Sequence, residues 1–175
     1  IGTNGIFIGD VKLDNKFTTP DPLELHYIFY HMSMLGVKTV VMEISAQAIY
    51  LNKMHGINID IGVFTNISKE HLDFFGSMEN YARCKLNYFN KKNMKEAVIN
   101  VDDFYGMELA YKSQIPCITY ALKAPANSFA IDVELGISGT KFVANILDDI
   151  FDVSSIMCGE FNVYNLLASL DIKIE

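Results

Sequence analysis

The chain has 175 residues, half of them hydrophobic, and a formal net charge of −7. This length is sufficient for one domain with its own core, and the mixed charge is typical of a globular protein. The acidic balance argues against a nucleic-acid backbone as the main partner, because no basic face offsets it. No apolar run approaches the roughly 18 residues that span a bilayer.

The three cysteines, Cys84, Cys117 and Cys158, are odd in number and show no metal-ligand spacing. We therefore expect buried thiols in a reducing compartment. The chain begins with Ile1 rather than Met, on a strand-like residue, so we expect it to be part of a longer protein.

The first elements are predicted by turn and capping residues. The opening segment, IGTNGIFIGD, mixes β-branched residues with glycines and predicts a short strand that runs into a turn. Asp21 as the N-cap and Pro22 at the first helical position predict the start of a helix. Gly36 is a suitable residue to end that helix.

Runs of β-branched residues predict strands that are buried on both faces of a parallel sheet. These runs are at 37–44, 57–67, 96–101 and 116–122, with helical patterns at 77–91 and 103–113. Such alternation predicts an α/β fold, with a mostly parallel sheet and helices on both faces. After residue 126, short alternating segments predict a small antiparallel sheet, and GEFNVYNLLASL then predicts a loop that enters a helix.

Polar residues follow two of the predicted strands, where ligands bind in open parallel sheets. Glu43, Ser45 and Gln47 lie at the end of the first strand or just after it. The second set, at the end of the next strand or after it, is Thr65, Asn66, Ser68, Glu70, His71 and Asp73. For each of these residues by itself, a role in capping a helix or forming a loop is the simpler explanation. Together, they indicate a ligand site. Glu43 provides an oxygen ligand suited to Mg²⁺, and His71 is a less typical second candidate.

Lys85 occupies an unusual position in the predicted helix at 77–91. Tyr81, Lys85 and Phe89 are spaced four residues apart, so they lie on one side of the helix. Met78 and Ala82 lie on this side too, which makes it apolar apart from Lys85. One explanation is that its stem is buried while the ammonium reaches water. The other is that desolvation lowers its pKa and leaves a neutral amine. Such an amine can combine with CO₂ to give a carbamate, which is an oxygen ligand for Mg²⁺.

The motifs TTPDPLEL, VVMEISAQAI, GVFTNISKEHLDFFGSMENYARCKLNYF, AVINVDD and GEFNVYNLLAS occur in this order along the chain. In sequence and order they closely resemble the central ATP-binding domain of the Mur ligases, a P-loop NTPase-like fold, over nearly the whole chain. The Asn-x-Ser-x-x-His-Leu-Asp segment is highly specific to the family. The Thr-Thr-Pro-Asp-Pro segment points to the members that add the third residue of the peptidoglycan stem peptide.

The resemblance implies an ATP-dependent acid–amino-acid ligase of the bacterial cytoplasm, active in peptidoglycan synthesis. Its substrates would be UDP-N-acetylmuramoyl-dipeptide, an amino acid and ATP, with two Mg²⁺ ions. The substrate carboxylate would attack the γ-phosphate to form an acyl phosphate, which the amino group of the incoming amino acid then displaces.

The resemblance also implies roles for individual residues. Glu43 would bind one Mg²⁺, and His71 the second, together with a carbamylated Lys85. Contacts with the muramoyl-peptide substrate would come from Thr18, Thr19, Ser45 and Lys53. Contacts with the nucleotide would come from Asn66, Asn162 and Asn165. The chain departs from the family pattern in two places: it has Ala46-Gln47 where the family often has Ser-His, and Lys53 near the position of a family Arg. A lysine cannot fork onto a carboxylate as arginine does, so these departures bear on the fine substrate contacts.

The glycines of IGTNGIF look like part of a phosphate-binding loop, but Gly5 is followed by Ile6 and Phe7 instead of Lys and Ser or Thr. The resemblance implies that the true loop lies upstream of residue 1. The UDP-binding and amino-acid-binding domains would also lie outside residues 1–175. Residues 1–175 alone would then bind ATP poorly, be inactive, and expose a sheet edge through which copies could associate.

Two alternatives remain open from the sequence. The first is another acyl-phosphate ligase of the same fold, such as a folylpolyglutamate or cyanophycin synthetase. The second is a non-catalytic scaffold module. The sequence does not specify which amino acid is added, and the full reading frame on both sides of this segment would discriminate between these possibilities.

Overall fold

The computed structural model describes residues 1–172, which form two compact units, Ile1–Ile57 and a second unit that begins at Asn58. The first unit contains β1 (Ile6–Ile8), β2 (Val11–Leu13), α1 (Pro22–Met34) and α2 (Ala46–Tyr50). The second contains β3 (Ile59–Phe64), α3 (Leu72–Phe75), α4 (Met78–Tyr88), β4 (Met94–Asn100), α5 (Phe104–Lys112), β5 (Cys117–Ala121), β6 (Ser128–Gly136), β7 (Gly139–Ile146), β8 (Asp149–Ser155) and α6 (Glu160–Leu170).

The first unit opens with the predicted strand and turn. A turn closed by paired hydrogen bonds between Gly2 and Gly5 leads into β1, which pairs with β2 in an antiparallel hairpin. Ile6 of this hairpin shares a small core with Ile28 and Met32 of α1. The likeness of this segment to a phosphate-binding loop is therefore superficial, because it forms a hairpin.

Helix α1 begins and ends where the sequence predicts. Asp21 is the N-cap residue in extended conformation, and Pro22 is the first helical residue. At the other end the helix gives way to Leu35 and to Gly36, whose φ of +77° is a conformation that glycine adopts without steric cost.

The strand predicted at 37–44 is wrong. This segment forms no strand, and it is largely exposed instead of buried, with Val41 at 77% exposure. Ile1 donates to the carbonyl of Val41, and the amide of Glu43 donates to the carbonyl of Ile1. A β-branched run specifies a preference for extended backbone, but a buried strand also needs a continuous ladder with its neighbours.

The second unit is built on a six-stranded sheet in the order β3-β4-β5-β6-β7-β8. The pairs from β3 to β6 are parallel, and the pairs from β6 to β8 are antiparallel. The α/β fold class is confirmed. The antiparallel strands after residue 126 extend this sheet, while the separate small antiparallel sheet is the β1-β2 hairpin.

Helices cover both faces of this sheet, as predicted. Val98 points to one face and packs in a core with Val163 and Leu167 of α6. Its neighbour Ile99 points to the other face and packs with Leu109 of α5, where residues of α4 also contribute. Because successive strand residues alternate between faces, β4 is buried on both sides from residue 97 onward, which explains the apolar run Ala-Val-Ile in this part of the strand.

Helix α5 approaches the end of β4 closely at Gly106. A Cβ atom on this glycine would lie 1.9 Å from the carbonyl oxygen of Asn100 and 3.1 Å from the ring of Phe64. The glycine is thus required for packing, since its side-chain hydrogen leaves room for the backbone of β4.

The cysteines differ from the prediction of buried thiols. Cys158 is exposed, and Cys84 and Cys117 are half-buried. Partial burial raises the pKa of the Cys84 thiol, which disfavours a reactive thiolate there. None of the helices within residues 1–172 has the length and apolar character that a membrane crossing requires.

Candidate functional site

Glu43, the predicted metal ligand of the first unit, is held by the opening turn. One oxygen of its carboxylate, Oε2, accepts hydrogen bonds from the backbone amide of Thr3 at 3.1 Å and from its hydroxyl at 2.8 Å. The Thr3 hydroxyl is also 3.1 Å from that of Thr18, a predicted substrate contact. Sequence reasoning missed Thr3, because its contact with Glu43 spans 40 residues of chain.

Thr19 and Ser45 fix the backbone on both sides of Glu43. Thr19 is buried, and its hydroxyl donates to the carbonyl of Glu43 at 3.0 Å and accepts from the amide of Ser45 at 3.1 Å. The Ser45 hydroxyl caps α2 by accepting from the amide of Ala48 at 3.2 Å. Both hydroxyls therefore position the backbone beside the carboxylate.

Lys53 is anchored in the same part of the first unit. Its Nζ lies 2.7 Å from a carboxylate oxygen of Asp21, donates to the carbonyl of Thr19 at 3.4 Å, and lies 4.3 Å from the centre of the Phe17 ring. The unit thus contains all five residues in it for which the resemblance implies a role: Thr18, Thr19, Glu43, Ser45 and Lys53. Of the two departures in α2, Ala46 is buried and Gln47 is half-buried.

In the second unit, Lys85 lies on the side of α4 that the sequence predicts. Tyr81 and Ala82 of the same side are buried, and Lys85 itself is half-buried. Its Nζ donates to the backbone carbonyl of Asn66 at 3.2 Å and lies 5.6 Å from the centre of the Tyr81 ring. The amine is therefore directed at the loop that follows β3 and carries the predicted nucleotide contact Asn66.

His71 lies at the start of α3 in a left-handed conformation, with φ of +56°. This conformation is uncommon for residues other than glycine and is enriched at functional sites. The imidazole packs edge-on against Tyr81, with 5.8 Å between ring centres, and its Nε2 is 3.9 Å from a carboxylate oxygen of Glu70. Lys85 and His71, two of the predicted residues, therefore both lie within 6 Å of the centre of the Tyr81 ring.

The third group of predicted residues is in the first turns of α6. The amide nitrogen of Asn162 donates to the carbonyl of Cys158 at 2.9 Å, and that of Asn165 donates to the side-chain oxygen of Asn162 at 3.3 Å. No side chain caps this helix, whose N-cap residue is Gly159 with φ of +96°. The two asparagines therefore form a pair in direct contact at an uncapped helix start.

Sequence reasoning assigned no role to Asp102, which the structure shows to be a centre of hydrogen bonding. Its carboxylate accepts from the amides of Leu122 at 2.7 Å, Lys123 at 3.0 Å and Ala124 at 2.8 Å, and from the hydroxyl of Tyr164 at 2.8 Å. Burial alone would raise the pKa of Asp102, but these four donors stabilise the charge, so that the net pKa lies below its ordinary value.

Asn100 and Asp103 flank Asp102 and hold the loop after β3. The side chain of Asn100 donates to the carbonyl of Thr65 at 2.8 Å. Asp103 accepts from the amide of Ile67 at 3.1 Å with one oxygen, and caps α5 with the other. The sequence contains a signal for Asp102 and Asp103: both acids come directly after the apolar strand run. Ligand-binding residues are expected at the ends of such strands, and this expectation had indicated Glu43 and His71.

Comparisons with known proteins agree with this architecture. The model of the Mur ligase middle domain family matches residues 1–172. A UDP-N-acetylmuramoyl-L-alanyl-D-glutamate–2,6-diaminopimelate ligase of Caldanaerobacter subterraneus is 39% identical over 172 residues, which are 98% of this chain and 36% of that protein. A solved ligase structure of the same name aligns with a TM-score of 0.87 at 30% identity, over 97% of this chain and 36% of the other.

A more distant structure, the MurF ligase of Thermotoga maritima in complex with ADP, aligns with a TM-score of 0.58 at 23% identity over 73% of this chain and 29% of the other, and shows the fold alone. The chain spans about a third of the length of the relatives that it matches. Its match to the family model extends through both units, from the opening turn to the end of α6. The chain therefore belongs to the Mur ligase middle domain family.

Proposed function

We propose that this chain is the ATP-binding portion of a cytoplasmic ligase that adds the third amino acid to UDP-N-acetylmuramoyl-L-alanyl-D-glutamate. Curated relatives that are 34–39% identical to this chain are named as ligases of that precursor and of 2,6-diaminopimelate, which we propose as the amino acid added. The phosphate-binding loop and the domains for the UDP group and the amino acid would be supplied by other parts of the full-length protein.

The observation that supports this proposal most strongly is the arrangement around Tyr81. The Lys85 amine contacts the carbonyl of Asn66 and lies beside the same aromatic ring as the His71 imidazole. A half-buried amine, an imidazole in a strained backbone conformation and the loop after a parallel strand thus occur together, at the strand end where α/β proteins bind phosphates.

These residues fit a magnesium site only if Lys85 is carbamylated. No three His, Cys, Asp or Glu side chains of residues 1–172 are grouped as a metal site, and a protonated lysine is no ligand. The Lys85 ammonium first loses a proton to water. The neutral amine then adds to CO₂: an N–C bond forms, the electron pair of one C–O π bond moves to oxygen, and a second proton passes to water. A cationic side chain thus becomes an anionic carbamate with oxygen donors. His71 and this carbamate would then hold one Mg²⁺, and Glu43 the other. When bound, these ions would offset the repulsion between the phosphates and the attacking carboxylate.

The remaining residues position the reactants. Thr18 and Lys53 would contact the muramoyl-peptide, while Thr19 and Ser45 would fix the backbone beside Glu43. Asn66, Asn162 and Asn165 would contact the nucleotide. The substrate carboxylate oxygen attacks the γ-phosphorus as the bond to the β-phosphate oxygen breaks and ADP departs. The amino group then attacks the acyl carbon, phosphate leaves, and the amine proton passes to solvent.

The test is ATP-dependent ligation by the full-length protein and its Lys85→Ala variant. We expect the wild-type protein to release ADP over many turnovers only when the muramoyl-dipeptide and 2,6-diaminopimelate are both present. We expect Lys85→Ala to lower kcat by about a hundredfold or more, because a residue of the metal site is lost. Added short-chain carboxylic acids should restore part of the lost activity.

Lys95→Ala is a matched control, since Lys95 is exposed and paired with Asp60. Its activity should equal that of the wild-type protein. ADP release that is independent of the muramoyl-dipeptide would overturn the proposed reaction. Full activity of Lys85→Ala would remove the carbamate from it.

A further inference from the structure

We propose that Asn100, the last residue of β4, and Asp102 and Asp103, in the loop that follows it, are positioning residues that hold the two halves of the candidate site in the second unit. The inference rests on the proposed function, because the halves are defined by the roles proposed for Lys85 and for the asparagine pair. No role was assigned to this loop from the sequence, and none of its residues is expected to touch a substrate.

Asp102 holds the asparagine half. Tyr164 lies between Asn162 and Asn165 in the sequence of α6, and its hydroxyl donates to Asp102 at 2.8 Å. Burial, followed by the contact with Asp102, raises the pKa of Tyr164, so the phenol stays protonated as a donor. The same carboxylate receives three consecutive amides, those of residues 122–124. It therefore joins the loop after β5 to the start of α6.

A second contact reinforces this connection. Lys123, in the loop after β5, forms an ion pair with Glu160 in the first turn of α6, at 3.0 Å. Since the helix start at Gly159 has no side-chain cap, its placement depends on these tertiary contacts. Loss of the Tyr164 hydroxyl should let the asparagine pair shift relative to the sheet.

Asn100 and Asp103 hold the lysine half. Their bonds to the carbonyl of Thr65 and the amide of Ile67 fix the residues on either side of Asn66. The carbonyl of Asn66 in turn accepts from Lys85. Asp103 also caps α5, so one side chain joins the helix, the loop after β4 and the loop after β3.

Two conservative variants of the full-length protein test the asparagine half and the lysine half separately. Tyr164→Phe keeps the ring but removes the bond to Asp102. Asp103→Asn keeps a side-chain oxygen for the α5 cap but replaces the acceptor of the Ile67 amide by the NH₂ group of a carboxamide, which is itself a donor. We expect Tyr164→Phe to raise the KM for ATP by about three- to tenfold with kcat changed by less than about twofold. We expect Asp103→Asn to lower kcat by about tenfold with the KM for ATP unchanged.

Amide hydrogen exchange without nucleotide gives a readout that does not depend on activity. Tyr164→Phe should speed exchange in the first turns of α6 and at residues 122–124, while Asp103→Asn should speed it at Ile67. Tyr111→Phe and Asp152→Asn, at exposed positions, are matched controls that should change neither kinetics nor exchange.

The inference is overturned if both variants shift KM and kcat together, as general destabilisation would, or if each variant leaves its own segment's exchange unchanged. If the wild-type protein neither binds nor hydrolyses ATP, the proposed function fails instead. The exchange pattern then decides alone whether this loop positions the two segments.

Discussion

Gly106→Ala should destabilise the second unit, although alanine is the better helix former. The added Cβ would lie 1.9 Å from the carbonyl oxygen of Asn100, an approach that folded proteins do not tolerate, so α5 and the end of β4 must move apart and Asn100 is displaced. Overpacking of this kind costs about 1–3 kcal/mol, and loss of the bond from Asn100 to Thr65 would add about 1 kcal/mol. The gain in helix propensity returns at most about 1 kcal/mol. We therefore expect a net loss of about 2 kcal/mol.

Thermal unfolding of the full-length protein, followed with hydrogen exchange in β4 and α5, measures this loss. Met107→Ala, at an exposed position of the same helix, is the control and should leave the midpoint nearly unchanged. The displaced Asn100 should also raise exchange in the loop after β3. A Gly106→Ala protein as stable as the wild type would refute the close packing described for α5 and β4.

Three further predictions concern single side chains. His71→Ala should raise the Mg²⁺ concentration needed for half-maximal ligation by about tenfold, whereas an unchanged requirement would exclude His71 as a ligand. Thr19→Val leaves two backbone groups beside Glu43 without a partner and should cost about 1–3 kcal/mol in unfolding free energy, while Thr39→Val, at an exposed position, should cost little. Asp171 is buried beside Ser128, its Oδ2 has no partner within residues 1–172, and burial raises its pKa above 3.8. The contribution of Asp171 to stability is therefore greatest below pH 3.8 and is lost as the pH rises through the raised pKa. In melting curves recorded against pH, Asp171→Asn should flatten this decline in stability. A variant with the same pH profile as the wild-type protein would contradict the prediction.

Local sequence signals predicted most of the elements. The start of α1 could be predicted from Asp21 and Pro22, because proline at the first helical position acts locally, although the Asp21 side chain makes no capping hydrogen bond and pairs with Lys53 instead. The apolar runs of β4 and β5 predicted buried strands because both faces of each strand are covered by helices. The segment 37–44 has a similar composition, but composition does not say whether a neighbouring strand completes the ladder.

The candidate site could be predicted in part for the same reason. Helical spacing placed Lys85 beside Tyr81, and the segment after β3 indicated His71. Glu43 was indicated by the end of a predicted strand that does not form. The partners that fix these groups could not be predicted, because they come from distant parts of the chain. Thr3 reaches Glu43 across 40 residues, and Tyr164 reaches Asp102 across 62. Such contacts depend on the tertiary fold, which no local pattern specifies.

The central claim is that Lys85 is converted to a carbamate that serves as an oxygen ligand. Isotopically labelled bicarbonate, followed by carbon NMR of the full-length protein with Mg²⁺ and nucleotide, tests it directly. We expect a carbamate signal in the wild-type protein and in Lys95→Arg, and its loss in Lys85→Arg. A wild-type protein without the signal, or a Lys85→Arg protein that retains it, would contradict the claim.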